Sequence, residues 1–288
     1  MWSTIRAILP PGGARYHEIT AGGPGQARDA AEAAAAAAAD LVIAIGGDGT
    51  LNEALNGVMA APEGRRPALA FIPGGTANIL ARALGIPRTV EGIGSVLRAG
   101  ARRLIDVGVV NGRYFATIAA VGFDAEVVGG TQGLRRWIGS KPAHVAQVMA
   151  TLVRYRPPTA RIGIDGAERD IRLTFLAAAN TEWYGGGLHL APGARPDDGE
   201  LLVVYGVDLS RRALIDVMVR AFTGRHLRHP GIIHQSAVRV TVECAHPLAL
   251  HADGEWLGRW TSVTFEIIPR ALHILVPPRG GLADGRRS

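Results

Sequence analysis

Twice in this chain an all-apolar run ends in glycines and passes into a helix-forming stretch. Leu41-Val42-Ile43-Ala44-Ile45 leads into Gly46-Gly47-Asp48-Gly49-Thr50, and Leu51 to Met59 then has helical character. Ala68-Leu69-Ala70-Phe71-Ile72 leads into Pro73-Gly74-Gly75-Thr76-Ala77-Asn78, followed by a helix over Ile79 to Leu84. A strand with no polar residue must be covered on both faces, and a parallel sheet with helices packed against it provides that cover. Strand, glycine turn and helix in repetition therefore predict an α/β domain. The alanine-rich stretch Gln26 to Ala39 supplies one helix on propensity alone, and Val90 to Arg98 supplies another.

The pattern changes near Leu104. Val110-Asn111-Gly112-Arg113 carries an Asn-Gly hairpin turn, and Asp165-Gly166 carries a second turn signal. Strand-forming runs follow at Leu173 to Ala179, Leu201 to Val207, Val238 to Val242 and Val263 to Ile268, interrupted by helices near Ala143 to Tyr155 and Arg211 to Phe222. This half reads as an antiparallel β domain. The expected division is residues 1–104, residues 105–270, a last strand near 271–277 that returns to the first domain, and a tail over 278–288. A length of 288 residues is ample for two cores.

Composition removes several classes. Hydrophobic residues make up 48% and charged residues 19%, a globular balance. No run approaches the roughly 18–20 apolar residues of a membrane span, and Met1 to Arg6 lacks a secretion signal. Cys244 stands alone, which excludes a disulfide framework and a cysteine-based metal site and fits a reducing, cytoplasmic compartment. Basic residues number 31 against 25 acidic, yet Lys141 is the sole lysine. With heavy alanine and glycine, the arginine excess reads as genome composition. No helix-turn-helix, aromatic-interleaved basic patch or basic tail marks a nucleic-acid binder.

The glycines at 46, 47 and 49 let backbone approach a polyphosphate, and the start of the following helix offers amide donors to anions. Asp48 in that loop would repel phosphate unless a cation intervenes, which points to Mg²⁺. The Gly-Lys-Ser/Thr ending of a Walker loop is missing. The loop at 73–78 has the same position after the neighbouring strand, and open α/β sheets bind ligands at such strand ends. The later half adds two acidic turns, Asp197-Asp198-Gly199-Glu200 and Asp253-Gly254-Glu255. Asp106 and Asp124 are acids in apolar strand contexts, and buried carboxylates are costly unless paired, hydrogen-bonded or metal-bound. Such a set suits a metal and a general base.

The segments GGDGTLNEALNG at 46–57, PGGTANILARALGIP at 73–87, AAVGFDAEVV at 119–128, APGARPDDGELLVV at 191–204 and HADGEWLG at 251–258 occur in order along the chain. With them the sequence resembles the diacylglycerol kinase catalytic-domain family, the soluble bacterial lipid kinases related to sphingosine kinases. The resemblance implies a Rossmann-like α/β domain followed by an antiparallel β-sandwich domain, with ATP in the cleft. It also implies transfer of the γ-phosphate to the hydroxyl of a diacylglycerol-like lipid. By resemblance Asp48 with Gly46, Gly47 and Gly49 sits at the ATP phosphates, Thr50, Asn52 and Glu53 belong to the same ATP-binding set, and Thr76 and Thr20 contact the nucleotide. Glu255 matches the proton acceptor, supported by Asp253 and Asp106. Asp198, with the main-chain carbonyls of Arg195 and Glu200, matches a Mg²⁺ site. Asp48→Ala and Glu255→Gln are accordingly expected to abolish activity in a folded protein.

The family pattern begins with a strand and an Asn-Pro-x-x-Gly loop, and neither precedes Tyr16-His17-Glu18-Ile19-Thr20, which resembles the family's second strand. The expectation is an upstream start or a depleted ATP site, with a catalytically weak lipid- or nucleotide-binding module as the alternative to a kinase. NAD kinases share the GGDGT loop but not the DDGELLVV and ADGEWLG segments. A lipid acceptor implies work at a membrane surface, on its inner face. There Leu134-Arg135-Arg136-Trp137-Ile138-Gly139-Ser140-Lys141 combines cations with an interfacial tryptophan. A homodimer is compatible with all of this.

Overall fold

A computed structural model describes residues 17–138 and 140–278, with the side chains of 132–142 outside that description. The chain folds as two compact units, divided after Ile105 and again after Arg270, so the last strand returns to the first unit.

In the first unit, β1 (Leu41–Gly46) pairs in parallel with β2 (Ala68–Pro73), Leu41 opposite Ala68 through Gly46 opposite Pro73. The end of β11 (Glu255–Leu275) continues the sheet, with Ile274 opposite Leu69. Every residue of β2 is buried, as its apolar sequence requires, whereas β1 is mostly half-buried. Helix α1 (Gln26–Ala36) packs on α2 (Asp48–Met59) closely enough that a Cβ on Gly57 would lie 2.2 Å from the Arg28 carbonyl oxygen. A short helix α3 (Ile79–Ala83) and α4 (Val90–Ala99) follow. Ile93, Val96 and Leu97 of α4 close over Ala68, Ala70 and Ile72. Helix α2 begins at Asp48 rather than Leu51, because the glycine loop turns directly into its first turn. The strand expected at Tyr16–Thr20 is absent over its described residues, 17–20, and Tyr16 lies outside the described residues. Residues 17–20 are exposed coil, and among the described residues no strand flanks β1 on its outer side to give them a ladder partner.

The second unit is antiparallel throughout. Its strands are β3 (Arg102–Val110, which begins in the first unit), β4 (Arg113–Phe115), β5 (Ile118–Gly122), β6 (Thr159–Ile164), β7 (Ala167–Ala179), β8 (Leu201–Val207), β9 (Ile232–Ala237) and β10 (Arg239–Ala252), with β11 after them. The long strands β7 and β10 each serve two ladders. Their early halves flank β6 and their late halves flank β5, which wraps the sheet around one core. Strand alternation sorts β5 cleanly: Ala119 and Val121 face that inner core with Phe115, Ile162 and Phe265. Ile118 and Ala120 face an outer core with Phe123, Leu152, Val204 and Leu214. The outer core is roofed by α5 (Phe123–Ile138), α6 (Ser140–Arg154) and α7 (Arg211–Ala221). Helix α5 corrects the expected strand setting of Asp124. Gly122, at φ 91°, ends β5, and Asp124 sits in the first helical turn.

Candidate active site

In the first unit the two glycine loops touch. The Gly74 amide donates to the Gly46 carbonyl at 2.7 Å, and a Cβ on Gly75 would lie 2.5 Å from the Gly47 Cα. Only glycine permits that approach at 75. Asp48 then ties the loops together: one carboxylate oxygen accepts from the Asn78 amide at 2.8 Å and the other from the Ile79 amide at 2.7 Å. Asn78 sits at φ 48° and folds its side chain back onto the Gly75 amide (3.1 Å) and carbonyl (2.7 Å). The intrahelical ladder of α2 starts with the Leu51 amide on the Gly47 carbonyl, at 3.1 Å, so the Gly49 and Thr50 amides precede it. A Cβ on Gly49 would meet nothing within 4 Å. The result is a backbone-lined cradle with free space over Gly49.

The neighbouring predicted residues divide by position. Glu53 accepts from the Gly25 amide at 2.9 Å and the Ala27 amide at 3.1 Å, and so supplies the anionic cap that Gly25 cannot give α1. Asn52 is buried at 2% exposure, with its carbonyl holding the Asn56 side chain at 2.8 Å. Thr76 and Thr20 are exposed.

In the second unit Asp253 and Gly254, at φ 49° and 81°, make the turn between β10 and β11. The Asp253 carboxylate accepts from the amides of Ala116 (2.8 Å), Thr117 (2.9 Å) and Ile118 (3.2 Å) and from the Thr117 hydroxyl (2.5 Å). Four donors fix this turn and with it Glu255, the first residue of β11. Glu255 is exposed, and its carboxylate is 2.7 Å from the Arg113 guanidinium. Trp256, 39% exposed, stands next to it, and a Cβ on Gly129 of α5 would lie 2.6 Å from the indole nitrogen.

Asp106, 1% exposed, works on a second turn. Its oxygens accept from the Gly199 amide (2.7 Å) and the Arg270 amide (2.6 Å), and its own amide donates to the Pro196 carbonyl at 2.8 Å. This holds the loop carrying Arg195, Asp198 and Glu200. Asp198 is at the surface and accepts from the Glu200 amide at 3.3 Å. Partial burial, with the Asp106 charge nearby, pushes its carboxyl above the usual aspartate range. The loop offers a carboxylate and carbonyl oxygens, the hard donors that suit Mg²⁺. Among the described residues no group of three or more His, Cys, Asp or Glu side chains is arranged to hold a metal, so a cation here would rely on main-chain oxygens.

Sequence reasoning missed a buried polar cluster behind the Asp253 turn. His251, fully buried, lies 2.7 Å from Asp124 and 3.3 Å from the Tyr184 hydroxyl. Burial and the Asp124 charge push the Tyr184 hydroxyl well above its ordinary pKa. The signal was present in the histidine two residues before Asp253, but its partners are distant in sequence. Arg113 was equally unmarked, being read only as the end of an Asn-Gly turn. The segment Leu134–Lys141, expected at membrane headgroups, has its side chains outside the described residues.

Residues 1–110 match the family model described as the diacylglycerol kinase catalytic domain, and residues 117–276 match the YegS C-terminal NAD kinase beta sandwich-like domain. A diacylglycerol kinase of Bacillus subtilis (strain 168) is 35% identical over 257 residues, covering 88% of this chain and 83% of that protein. The chain belongs to the diacylglycerol kinase family. A further diacylglycerol kinase, from Staphylococcus aureus (strain bovine RF122 / ET3-1), is 32% identical over 240 residues, 83% of this chain and 75% of that one. The crystal structure of a diacylglycerol kinase from Bacillus anthracis str. Sterne aligns with a TM-score of 0.72 at 21% identity, covering 96% of this chain and 92% of the other. A second structure from that organism reaches 0.77 at 23% identity, covering 96% and 87%. The fold is therefore that of solved diacylglycerol kinase structures, and the α/β and β-rich halves are the family's two domains.

Proposed function

We propose that this family member transfers the γ-phosphate of ATP to the hydroxyl of a diacylglycerol-like lipid. The observation that carries the reading is the cradle formed where Asp48 ties the Gly46–Thr50 loop to the Gly74–Asn78 loop. Phosphoryl transfer asks a protein for alignment and charge neutralisation rather than covalent chemistry. Backbone amides at the start of α2 answer the phosphates, and Gly49 leaves them room. ATP supplies the phosphoryl group when bound. Asp198, with the main-chain carbonyls of Arg195 and Glu200, would hold Mg²⁺, a cation that would supply charge neutralisation to phosphate.

Glu255 receives the proton of the attacking lipid hydroxyl. Its exposure leaves it accessible to an acceptor, and the Arg113 ion pair fixes the direction of its carboxylate. Asp253 acts through position, by holding the turn on which Glu255 begins. Trp256 gives the acceptor an apolar, partly exposed surface beside the carboxylate. A lipid acceptor is met at a membrane surface; among the described residues no helix is long and apolar enough to cross one. The test is phosphate transfer from radiolabelled ATP across a panel of hydroxylated lipids. Labelled product with diacylglycerol supports the reading, and ATP binding without transfer to any lipid supports a binding module instead.

A further inference from the structure

A polyphosphate carries several negative charges, and neither loop of the cradle carries a cationic side chain to meet them. Across residues 46–50 and 73–78 the one charged side chain is Asp48, itself an anion. Backbone amides offer partial positive charge, and a full cation beside them forms stronger, charge-assisted hydrogen bonds. The lysine that ends a Walker loop is missing here, and the sole lysine of the chain is Lys141. Within the first unit, a side-chain cation for the cradle has to be an arginine.

Arg88 stands at the cradle. Its guanidinium donates to the Gly75 carbonyl at 3.2 Å. Gly75 is the residue whose added Cβ would lie 2.5 Å from the Gly47 Cα, so the guanidinium sits at the seam where the two loops touch. Thr76, exposed, is the next residue of the loop. The bond to Gly75 occupies one of five guanidinium N–H donors. Arg88 is exposed, and among the described residues no carboxylate is paired with it. Arg66, by contrast, is bound to the Ala61 and Ala271 carbonyls at 3.1 and 3.0 Å, and Arg28 pairs with Asp29 at 3.2 Å. The Arg88 backbone is held from both sides. Before it, buried Ile86 donates its amide to the Ala81 carbonyl at 2.8 Å, and Pro87 has a fixed φ. After it, Thr89 caps α4 by accepting the Gly92 amide at 3.3 Å. The side chain therefore leaves from a fixed corner.

We propose that Arg88 is a phosphate-binding residue of the cradle, its guanidinium keeping hold of Gly75 and giving its open N–H donors to the phosphate chain of the nucleotide. The planar guanidinium fork matches phosphate oxygens in geometry as well as charge. The competing account is that Arg88 only braces the Gly75 carbonyl. That carbonyl already accepts from the Asn78 side chain at 2.7 Å, so bracing does not need a second donor. The proposal deepens the lipid-kinase reading and rests on it for the nucleotide.

The experiment is calorimetric titration of the full chain with ATP at low and high salt, for wild type, Arg88→Ala, Arg88→Lys and Arg65→Ala, read beside phosphate transfer to diacylglycerol. Arg65 is exposed and precedes β2, whereas the glycine loop follows that strand, so Arg65→Ala controls for net charge. Arg88→Ala should weaken ATP binding at low salt by roughly tenfold, the size of a lost charge-assisted hydrogen bond. Arg88→Lys should recover part of the loss, and the gap between wild type and Arg88→Ala should narrow as salt rises. Arg65→Ala should bind ATP like wild type, and all four proteins should melt together. Equal ATP affinity for wild type and Arg88→Ala overturns the proposal and leaves the kinase reading standing. So does a loss that salt leaves unchanged and that comes with a lower melting temperature, which is the signature of a brace. A wild-type chain that binds no ATP overturns both. Arg88-dependent ATP binding without phosphorylation of any lipid supports the assignment and removes the kinase reading.

Discussion

Asp48 holds Asn78 from below: its carboxylate accepts the Asn78 amide at 2.8 Å and the adjoining Ile79 amide at 2.7 Å, joining two glycine loops thirty residues apart in sequence. The carboxylate is thereby a fastening for the cradle as well as a charge beside it. Asp48→Ala should abolish kinase activity and also weaken the first unit. Two amides lose a charged acceptor, at a cost of about 1–3 kcal/mol. Asp48→Asn retains one acceptor oxygen and should fall between the two in melting temperature. Calorimetry beside turnover reads both effects. A fully stable Asp48→Ala protein would show that the fastening is dispensable.

The sequence made one half of this legible. GGDGT between a buried strand and a helix marks backbone that approaches phosphate, and an aspartate there reads as a cation ligand. That its carboxylate turns to the second loop depends on β1 and β2 lying side by side, which the motif alone does not encode. Glu53 teaches the same point, since its carboxylate caps α1 at Gly25 and Ala27. Helix α5 escaped the reading because its glycines at 129, 130 and 133 depress helix propensity, while burial of Phe123 and Val127 in the outer core enforces it. Residues 17–20 erred the other way, since a strand-like stretch forms no strand where the described residues give it no partner.

The glycines of the cradle should separate stability from binding. A side chain on Gly75 meets the Gly47 backbone at 2.5 Å, so Gly75→Ala should lower stability by about 1–3 kcal/mol. A side chain on Gly49 meets nothing within 4 Å, so Gly49→Ala should melt like wild type. It should nevertheless bind ATP more weakly, because the methyl occupies room the phosphates need. Calorimetric titration with ATP distinguishes the two. Equal ATP affinity for Gly49→Ala and wild type would move the phosphates elsewhere.

Asp198 should make the protein's Mg²⁺ dependence sensitive to acid. Its carboxyl titrates above the ordinary aspartate range through burial and the Asp106 charge, so it loses its charge earlier than most aspartates as pH falls. The Mg²⁺ concentration needed for half-maximal activity should therefore rise on acidification, and Asp198→Asn should raise it at every pH. The sign for stability is opposite. A raised native pKa means that ionisation weakens the fold, so Asp198→Asn should melt slightly higher at neutral pH, with the gain vanishing below about pH 4 where both side chains are neutral. A flat Mg²⁺ requirement across acidic pH would remove Asp198 from the cation site.

Arg113 should act through Glu255. Their ion pair is partly exposed, and such pairs add only about 0–1 kcal/mol to stability. Arg113→Ala should leave the melting temperature close to wild type. Without its guanidinium partner the Glu255 carboxylate is less well directed, so kcat should fall with little change in the KM for ATP. Steady-state kinetics at varied ATP test this split, and a change in KM alone would place Arg113 in nucleotide binding.

The central claim is that Glu255 takes the proton from a lipid hydroxyl, and turnover of diacylglycerol by Glu255→Gln tests it most directly. The substitution keeps size and hydrogen-bonding reach while removing the base, a loss of roughly 10²–10⁴ in kcat for general-base catalysis. That fall is expected in a protein whose melting temperature and ATP affinity match wild type. Glu255→Gln turning over diacylglycerol at the wild-type rate would contradict it.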